Sequence, residues 1–129
     1  MAAVNEREPV KSGQQGSRRT AKICEYMSYS GREAFKRLRA NAMIALTNVQ
    51  EKKNYVVGVT SAQAAEGKSS VCVNTAYSIA ELEKNVLIID CDMRRSAIHD
   101  IVGVSLTPGL SDILNGGANL SDAIVHYKP

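Results

Sequence analysis

Tyr55-Val56-Val57-Gly58-Val59-Thr60, running into Ser61-Ala62-Gln63-Ala64-Ala65-Glu66-Gly67-Lys68-Ser69-Ser70, is the stretch whose reading decides the fold. Its first six residues are a nearly continuous β-branched run, the composition of a strand covered on both faces within a parallel sheet. Residues 61–67 carry no apolar periodicity and read as a loop. From Lys68 to about Glu83 a helical spacing returns through Cys72, Ala76, Ile79 and Ala80. Ala62 to Ser69 keeps the spacing of a phosphate-binding loop, with alanine in place of the first glycine. Such a loop converges backbone N–H groups on phosphate oxygens and aims the positive end of the following helix at the same point. Gly67 permits close backbone approach. Lys68 would meet the β- and γ-phosphates, and the Ser69 hydroxyl would take one Mg²⁺ position.

Asn85 ends the helix, and Val86-Leu87-Ile88-Ile89 reads as a second buried strand ending in Asp90. The result is a β-α-β unit, whose right-handed crossover would lay the two strands parallel and adjacent. Asp90-Cys91-Asp92-Met93-Arg94-Arg95 then falls at the carboxyl edge of the sheet, where open α/β folds bind ligands. Strand alternation places Asp90 and Asp92 on one side, able to hold Mg²⁺ directly or through water, and one of them to accept a proton from an attacking hydroxyl. Arg94 or Arg95 could neutralise phosphate charge.

Outward from this unit, Ser30 and Glu33 have capping-box spacing at the head of a helix expected to run to about Val49. Phe35, Leu38, Ala42, Leu46 and Val49 define its buried face, beside a basic stripe of Arg32, Lys36 and Arg39. Residues 1–22 are Gly-, Gln-, Ser- and Arg-rich without periodicity, the composition of a disordered basic tail. Toward the other end, Thr107-Pro108-Gly109 reads as a turn, Leu110–Leu114 and Leu120–Val125 as short helices, and Asn115-Gly116-Gly117 as the break between them. No third strand is evident.

Composition sets the outer bounds. At 129 residues with 44% hydrophobic and 22% charged residues, the chain has the make-up of one ordinary soluble domain. No run approaches the roughly 18 consecutive apolar residues of a membrane span, and residues 1–22 lack the apolar core of a signal peptide, so a cytosolic chain is expected. Cys24, Cys72 and Cys91 are an odd number at wide spacings without a C-x-x-C pair, which suggests neither a disulfide framework nor a zinc site, and they are expected as reduced, buried hydrophobes. Residues 1–53 hold 11 Lys/Arg against 5 Asp/Glu (+6), and the remainder 5 against 8 (−3). A basic N-terminal part could meet an acidic partner or equally be a solvated face. Its basic residues are not interleaved with aromatics, so nucleic acid is not an expected partner. His99 and His126 have no metal-ligand spacing.

Glu33-Ala34-Phe35-Lys36-Arg37-Leu38-Arg39, Gly58-Val59-Thr60-Ser61-Ala62-Gln63 leading into Glu66-Gly67-Lys68-Ser69, Val86 to Arg95, and Pro108-Gly109-Leu110-Ser111-Asp112-Ile113-Leu114 together resemble the bacterial tyrosine kinase family over about residues 30–125. The resemblance implies an α/β fold of the P-loop NTPase type, a three-layer α/β/α arrangement around a parallel sheet. Residues 23–129 would be the N-terminal part of the kinase domain, incomplete at its C-terminus. It implies an autophosphorylating, ATP- and Mg²⁺-dependent protein-tyrosine kinase regulating capsule or exopolysaccharide synthesis and export. Lys68 and Ser69 match the Walker A phosphate and magnesium residues, and Asp90 and Asp92 the acidic pair of Walker A′. Lys68, Asp90 and Asp92 would be catalytic, Ser69, Asp90 and Asp92 would hold the metal, and Ala62, Gln63, Ala64, Ala65, Glu66, Gly67, Lys68, Ser69, Ser70 and Arg94 would bind nucleotide. Glu33, Lys36 and Arg39 match a Glu-x-x-Arg-x-x-Arg motif used between subunits. The family's activator is a transmembrane polysaccharide chain-length regulator, which would hold the kinase at the inner face of the membrane.

The chain departs from the family at several points. Ala64-Ala65 replaces the usual Pro-Gly of Walker A, Ser96 stands where proline is usual, Lys36 replaces an arginine, and neither a Walker B motif nor a tyrosine cluster follows. The chain by itself is therefore expected to lack kinase activity. Septum-positioning and partition ATPases share the acidic motif but carry a signature lysine where this chain has Gln63. A non-catalytic interaction module built on the basic helix is the alternative from another class.

Overall fold

A computed structural model describes residues 2–3, 23, 26–47 and 54–127. In chain order the elements are β1 (Ala2–Ala3), α1 (Tyr29–Thr47), α2 (Lys68–Ala80), β2 (Leu87–Ile88), α3 (Ile98–Val102), α4 (Leu110–Leu114), α5 (Leu120–Ala123) and β3 (Val125–His126). Helix α2 is the centre of the described structure, packing against α1, α3 and β2. Its Val73 and Ala76 join Ile23, Ile88 and Ile98 in the buried core, with Cys72, Tyr77, Val86, Ile101, Val102 and Tyr127 around them.

The helical expectations hold at α2 and α4, the latter residue for residue. Helix α1 forms where good helix formers dominate, but its cap is Ser28, whose Oγ accepts from Gly31 N at 3.3 Å. Glu33, expected to bond back toward Ser30, instead takes Lys36 Nζ at 2.9 Å along the helix surface. None of α1 is fully buried, and Leu38 is exposed. Phe35, Ala42 and Leu46 of the expected face are half-buried, and a polar tie joins α1 to α2: the Arg39 guanidinium donates to the Ser78 carbonyl and lies 3.6 Å from Glu81 Oε2. Leu82 N bonds Ile79 O, leaving the Ser78 carbonyl in the last turn of α2 as the acceptor that Arg39 satisfies. Val49, assigned to the buried face, lies outside the described residues.

The strand readings need correction. Tyr55–Thr60 is exposed, Val56 at 98%, and joins no ladder among the described residues. β-Branched composition fits a pleated surface but supplies no partner, and a strand forms only where a second edge takes its hydrogen bonds. Of the expected strand Val86–Ile89, only Leu87–Ile88 pairs. It does so antiparallel to β1, with Ala2 opposite Ile88 and Ala3 opposite Leu87. β1 also pairs in parallel with β3, giving the sheet order β2-β1-β3. Ala2 and Ala3 thus belong to a sheet rather than to the expected tail, and residues 4–22 lie outside the described residues. Val125, read as helical, starts β3 after α5 ends at Ala123. Helix α3, unexpected from the sequence, is closed by Gly103 in the left-handed region (φ 70), where Val104 N returns to His99 O.

Among the described residues six apolar side chains are buried, while sixteen large ones are exposed. That ratio leaves a small core. Cys91, expected to be buried, is exposed, Cys72 is partly buried, and Cys24 lies outside the described residues. No described helix is long and apolar enough to cross a membrane.

Candidate nucleotide site

The loop ahead of α2 is tied by two short bonds: Ser61 Oγ donates to Gln63 O at 2.8 Å, and Gln63 N donates to Glu66 Oε2 at 3.1 Å. Residues 62–66 are exposed. Two residues turn the chain through the left-handed region, Ala65 at φ 64 and Gly67 at φ 89. A Cβ on Gly67 would meet nothing within 4 Å, so glycine serves the dihedral there and not a close contact. Gly67 is the N-cap of α2 and brings no side-chain cap. The first backbone bond onto this end of α2 runs from Val71 N to Gly67 O at 2.9 Å, which leaves the N–H groups of Lys68, Ser69 and Ser70 ahead of it. Three amides, a positive helix end and the Lys68 side chain make a local environment suited to an anion.

At the other half of the expected site, Asp90 is heavily committed. Its Oδ1 accepts from Asp92 N at 3.0 Å, and its Oδ2 accepts from Ser96 Oγ at 2.8 Å and from Ala97 N and Ile98 N at 3.2 Å each. Partial burial pushes this carboxyl up, but the hydroxyl and three backbone donors outweigh burial and hold it below the ordinary aspartate value. Each carboxylate oxygen has about two acceptor positions; Oδ2 takes three of the four donors and Oδ1 one, so an acceptor position remains on Oδ1. Asp90 is therefore the anchor that folds residues 91–98 back onto the strand end and starts α3. Asp92 is exposed; its Oδ1 accepts from Arg95 N at 3.0 Å and its Oδ2 has no partner among the described residues. Arg94 and Arg95 are exposed, and neither guanidinium forms an ion pair among the described residues.

Asp90, Asp92, Ser96 and His99 line a cavity of about 220 Å³, closed on its far side by the Ser105–Asp112 segment. Asp112 shapes that wall by accepting Gly109 N at 2.7 Å. Lys68 and Ser69 are not part of this lining. Cys72 lies one turn into α2 on the side of Lys68. Burial first, and then the Asp90 charge, push its thiol up. No group of three or more His, Cys, Asp or Glu suited to a metal occurs among the described residues. Sequence reasoning assigned Asp90 and Asp92 but passed over Ser96 and His99, whose i, i+3 spacing beside an acidic strand end was the available signal.

The chain is 38% identical over 89 residues to the tyrosine-protein kinase wzc of Salmonella typhi, and 39% identical over 84 residues to the putative tyrosine-protein kinase AmsA of Erwinia amylovora. It is 35% identical over 95 residues to the tyrosine-protein kinase etk of Escherichia coli. These matches cover 69%, 65% and 74% of this chain. Over that stretch the chain belongs to the bacterial tyrosine-protein kinase family. It spans only about an eighth of these kinases, 12%, 11% and 13% of their lengths. No protein-family model matches the chain, and no solved structure gives a significant match.

Proposed function

We propose that the chain is the nucleotide-binding part of an ATP- and Mg²⁺-dependent protein-tyrosine kinase that controls capsule or exopolysaccharide production, with the P-loop α/β fold. The observation that carries this reading is the head of α2: a glycine in the left-handed region followed by three leading amides, Lys68 and Ser69. Lys68 and the amides of Ser69 and Ser70 hold the terminal phosphates, and Arg94 offers a second positive charge. Ser69 and Asp92 are the residues that fit a hard cation, since a hydroxyl and a carboxylate oxygen without another partner are the donors Mg²⁺ takes. Asp90, with three donors on Oδ2 and one on Oδ1, would meet such an ion through the remaining position on Oδ1 or through water. Bound Mg²⁺ supplies neutralisation of phosphate charge. Asp92 is also the carboxylate free to accept a hydroxyl proton. Assembly through Glu33, Lys36 and Arg39 and activation by a membrane-anchored regulator remain part of the reading. In this structure, however, Lys36 pairs with Glu33 and Arg39 with α2 of the same chain.

The test is titration of a fluorescent ATP analogue with Mg²⁺ into the chain and into Lys68→Met. Loss of a charge-assisted contact worth about 1.5–3 kcal/mol lowers affinity by roughly one to two decades. Equal affinity in a folded Lys68→Met chain overturns the reading, and phosphotyrosine formation by the wild-type chain alone would show that it needs no further acidic strand.

A further inference from the structure

Ser96 and His99 are two polar residues of the acidic cavity to which the kinase reading gives no role. Ser96 Oγ lies 2.8 Å from Asp90 Oδ2 and 3.3 Å from His99 Nδ1, and His99 Nε2 lies 3.4 Å from Asp100 Oδ1. The hydroxyl has a single proton, and the ionised Asp90 can only accept, so that proton goes to Asp90 at the shorter contact. His99 Nδ1 must then be the donor to Ser96 Oγ, an assignment made from the hydrogen-bond network. Because the hydroxyl gives its proton to Asp90, the serine is not arranged as a nucleophile activated by the histidine.

We propose that Ser96 and His99 are positioning residues that fix the Asp90 carboxylate and, through it, the presentation of Asp92. The chain of control is short. His99 donates to Ser96, which orients the hydroxyl toward Asp90 Oδ2, and the same carboxylate holds Asp92 N through Oδ1 at 3.0 Å. The backbone of Asp92, and with it the carboxylate whose Oδ2 has no partner among the described residues, is thereby set relative to the strand end. A proline at position 96 would have no hydroxyl for this bond, so the device needs serine or threonine there. The proposal rests on the nucleotide reading for its functional consequence and on the ligand-free geometry for its mechanism.

Two measurements separate these. The first is affinity for a fluorescent ADP analogue in Mg²⁺ and in EDTA, for wild type, Ser96→Ala, Ser96→Thr, His99→Leu and His99→Asn in the 129-residue chain. Ser96→Ala and His99→Leu should weaken the Mg²⁺ value about fivefold, the effect of one hydrogen bond, while leaving the EDTA value within about twofold. Ser96→Thr and His99→Asn, which keep a hydroxyl and a donor at the same places, should restore it. An Ala variant that binds as wild type, a loss of equal size in EDTA, or failure of threonine to rescue would each overturn the proposal. The second is the ¹⁵N signature of the His99 ring in the free wild-type protein, which must show a proton on Nδ1; an unprotonated Nδ1 overturns the mechanism whatever the nucleotide result. Absence of nucleotide binding by wild type with Nδ1 protonated would instead overturn the kinase reading and the functional half of this proposal.

Discussion

Ala65 carries a strain that a single substitution relieves. Its φ of 64 lies in the left-handed region, where an L-residue with a Cβ is disfavoured by about 1–2 kcal/mol. Glycine removes that penalty but raises the entropy of the unfolded chain, at a cost of about 0.5–1 kcal/mol. Ala65 is exposed, so removing its methyl forfeits no packing. The net expectation for Ala65→Gly is a gain of about 0.5–1 kcal/mol, which with a urea m-value near 2 kcal/mol/M raises the unfolding midpoint by roughly 0.3–0.5 M. Ala64→Gly, one residue earlier and outside the left-handed region, has only the entropic cost and should move the midpoint down. Ala65→Val should lower stability further, because a β-branched residue tolerates this dihedral least. Urea titrations of the three variants followed by far-UV circular dichroism decide the matter. A fall in midpoint for Ala65→Gly, or the same shift at both alanines, refutes the argument from the dihedral. Glu83, at φ 57 after α2, is an independent site where glycine should give a gain of the same sign.

Three further outcomes follow from the contacts. Because the folded Asp90 carboxyl is held below its unfolded value, the stability it contributes is present above the unfolded aspartate range and is lost as pH falls through the folded value. Acid titrations should show this loss in wild type, and Asp90→Asn should flatten it. In a Cys24→Ser background, Cys91 should react with a thiol reagent well before Cys72. Cys91 is exposed, whereas burial and the Asp90 charge keep the Cys72 thiol protonated; equal rates would contradict that placement. Arg39→Met should lower the thermal midpoint of the monomer by releasing α1 from the Ser78 carbonyl and Glu81, at about 1–3 kcal/mol if that carbonyl is left unsatisfied. An unchanged midpoint would mean that the guanidinium is free for contacts between subunits.

Helix α2 and the loop before it were legible in the sequence because their signals are local. Gly67-Lys68-Ser69 and the spacing of Cys72, Ala76, Ile79 and Ala80 need only residues within a few turns of one another, and helix formation answers to that range. Helix α4 was legible for the same reason, since Asp112 reaches back three residues to Gly109. The acidic pair was also found, but its division of labour was not. Alternation along a strand makes Asp90 and Asp92 equivalent, whereas the fold of residues 91–98 brings the Ser96 hydroxyl and the Ala97 and Ile98 amides onto Asp90 alone. No count of spacings contains that asymmetry. Helix α3 escaped notice because its five residues depend on this carboxylate cap more than on a long apolar period.

Which strands pair was settled only in three dimensions. Tyr55–Thr60 has the stronger β composition, yet Ala2–Ala3, with almost none, takes the ladder positions beside Leu87–Ile88 and Val125–His126. A helix satisfies its backbone from within, so its own residues largely specify it. A strand satisfies its backbone from another segment, so the identity of that segment is a property of the tertiary structure. The motifs, every helix but α3 and the family were therefore written along this chain, while α3, the sheet order, the burial of each apolar face and the roles of the two aspartates came from the contacts between distant parts of it.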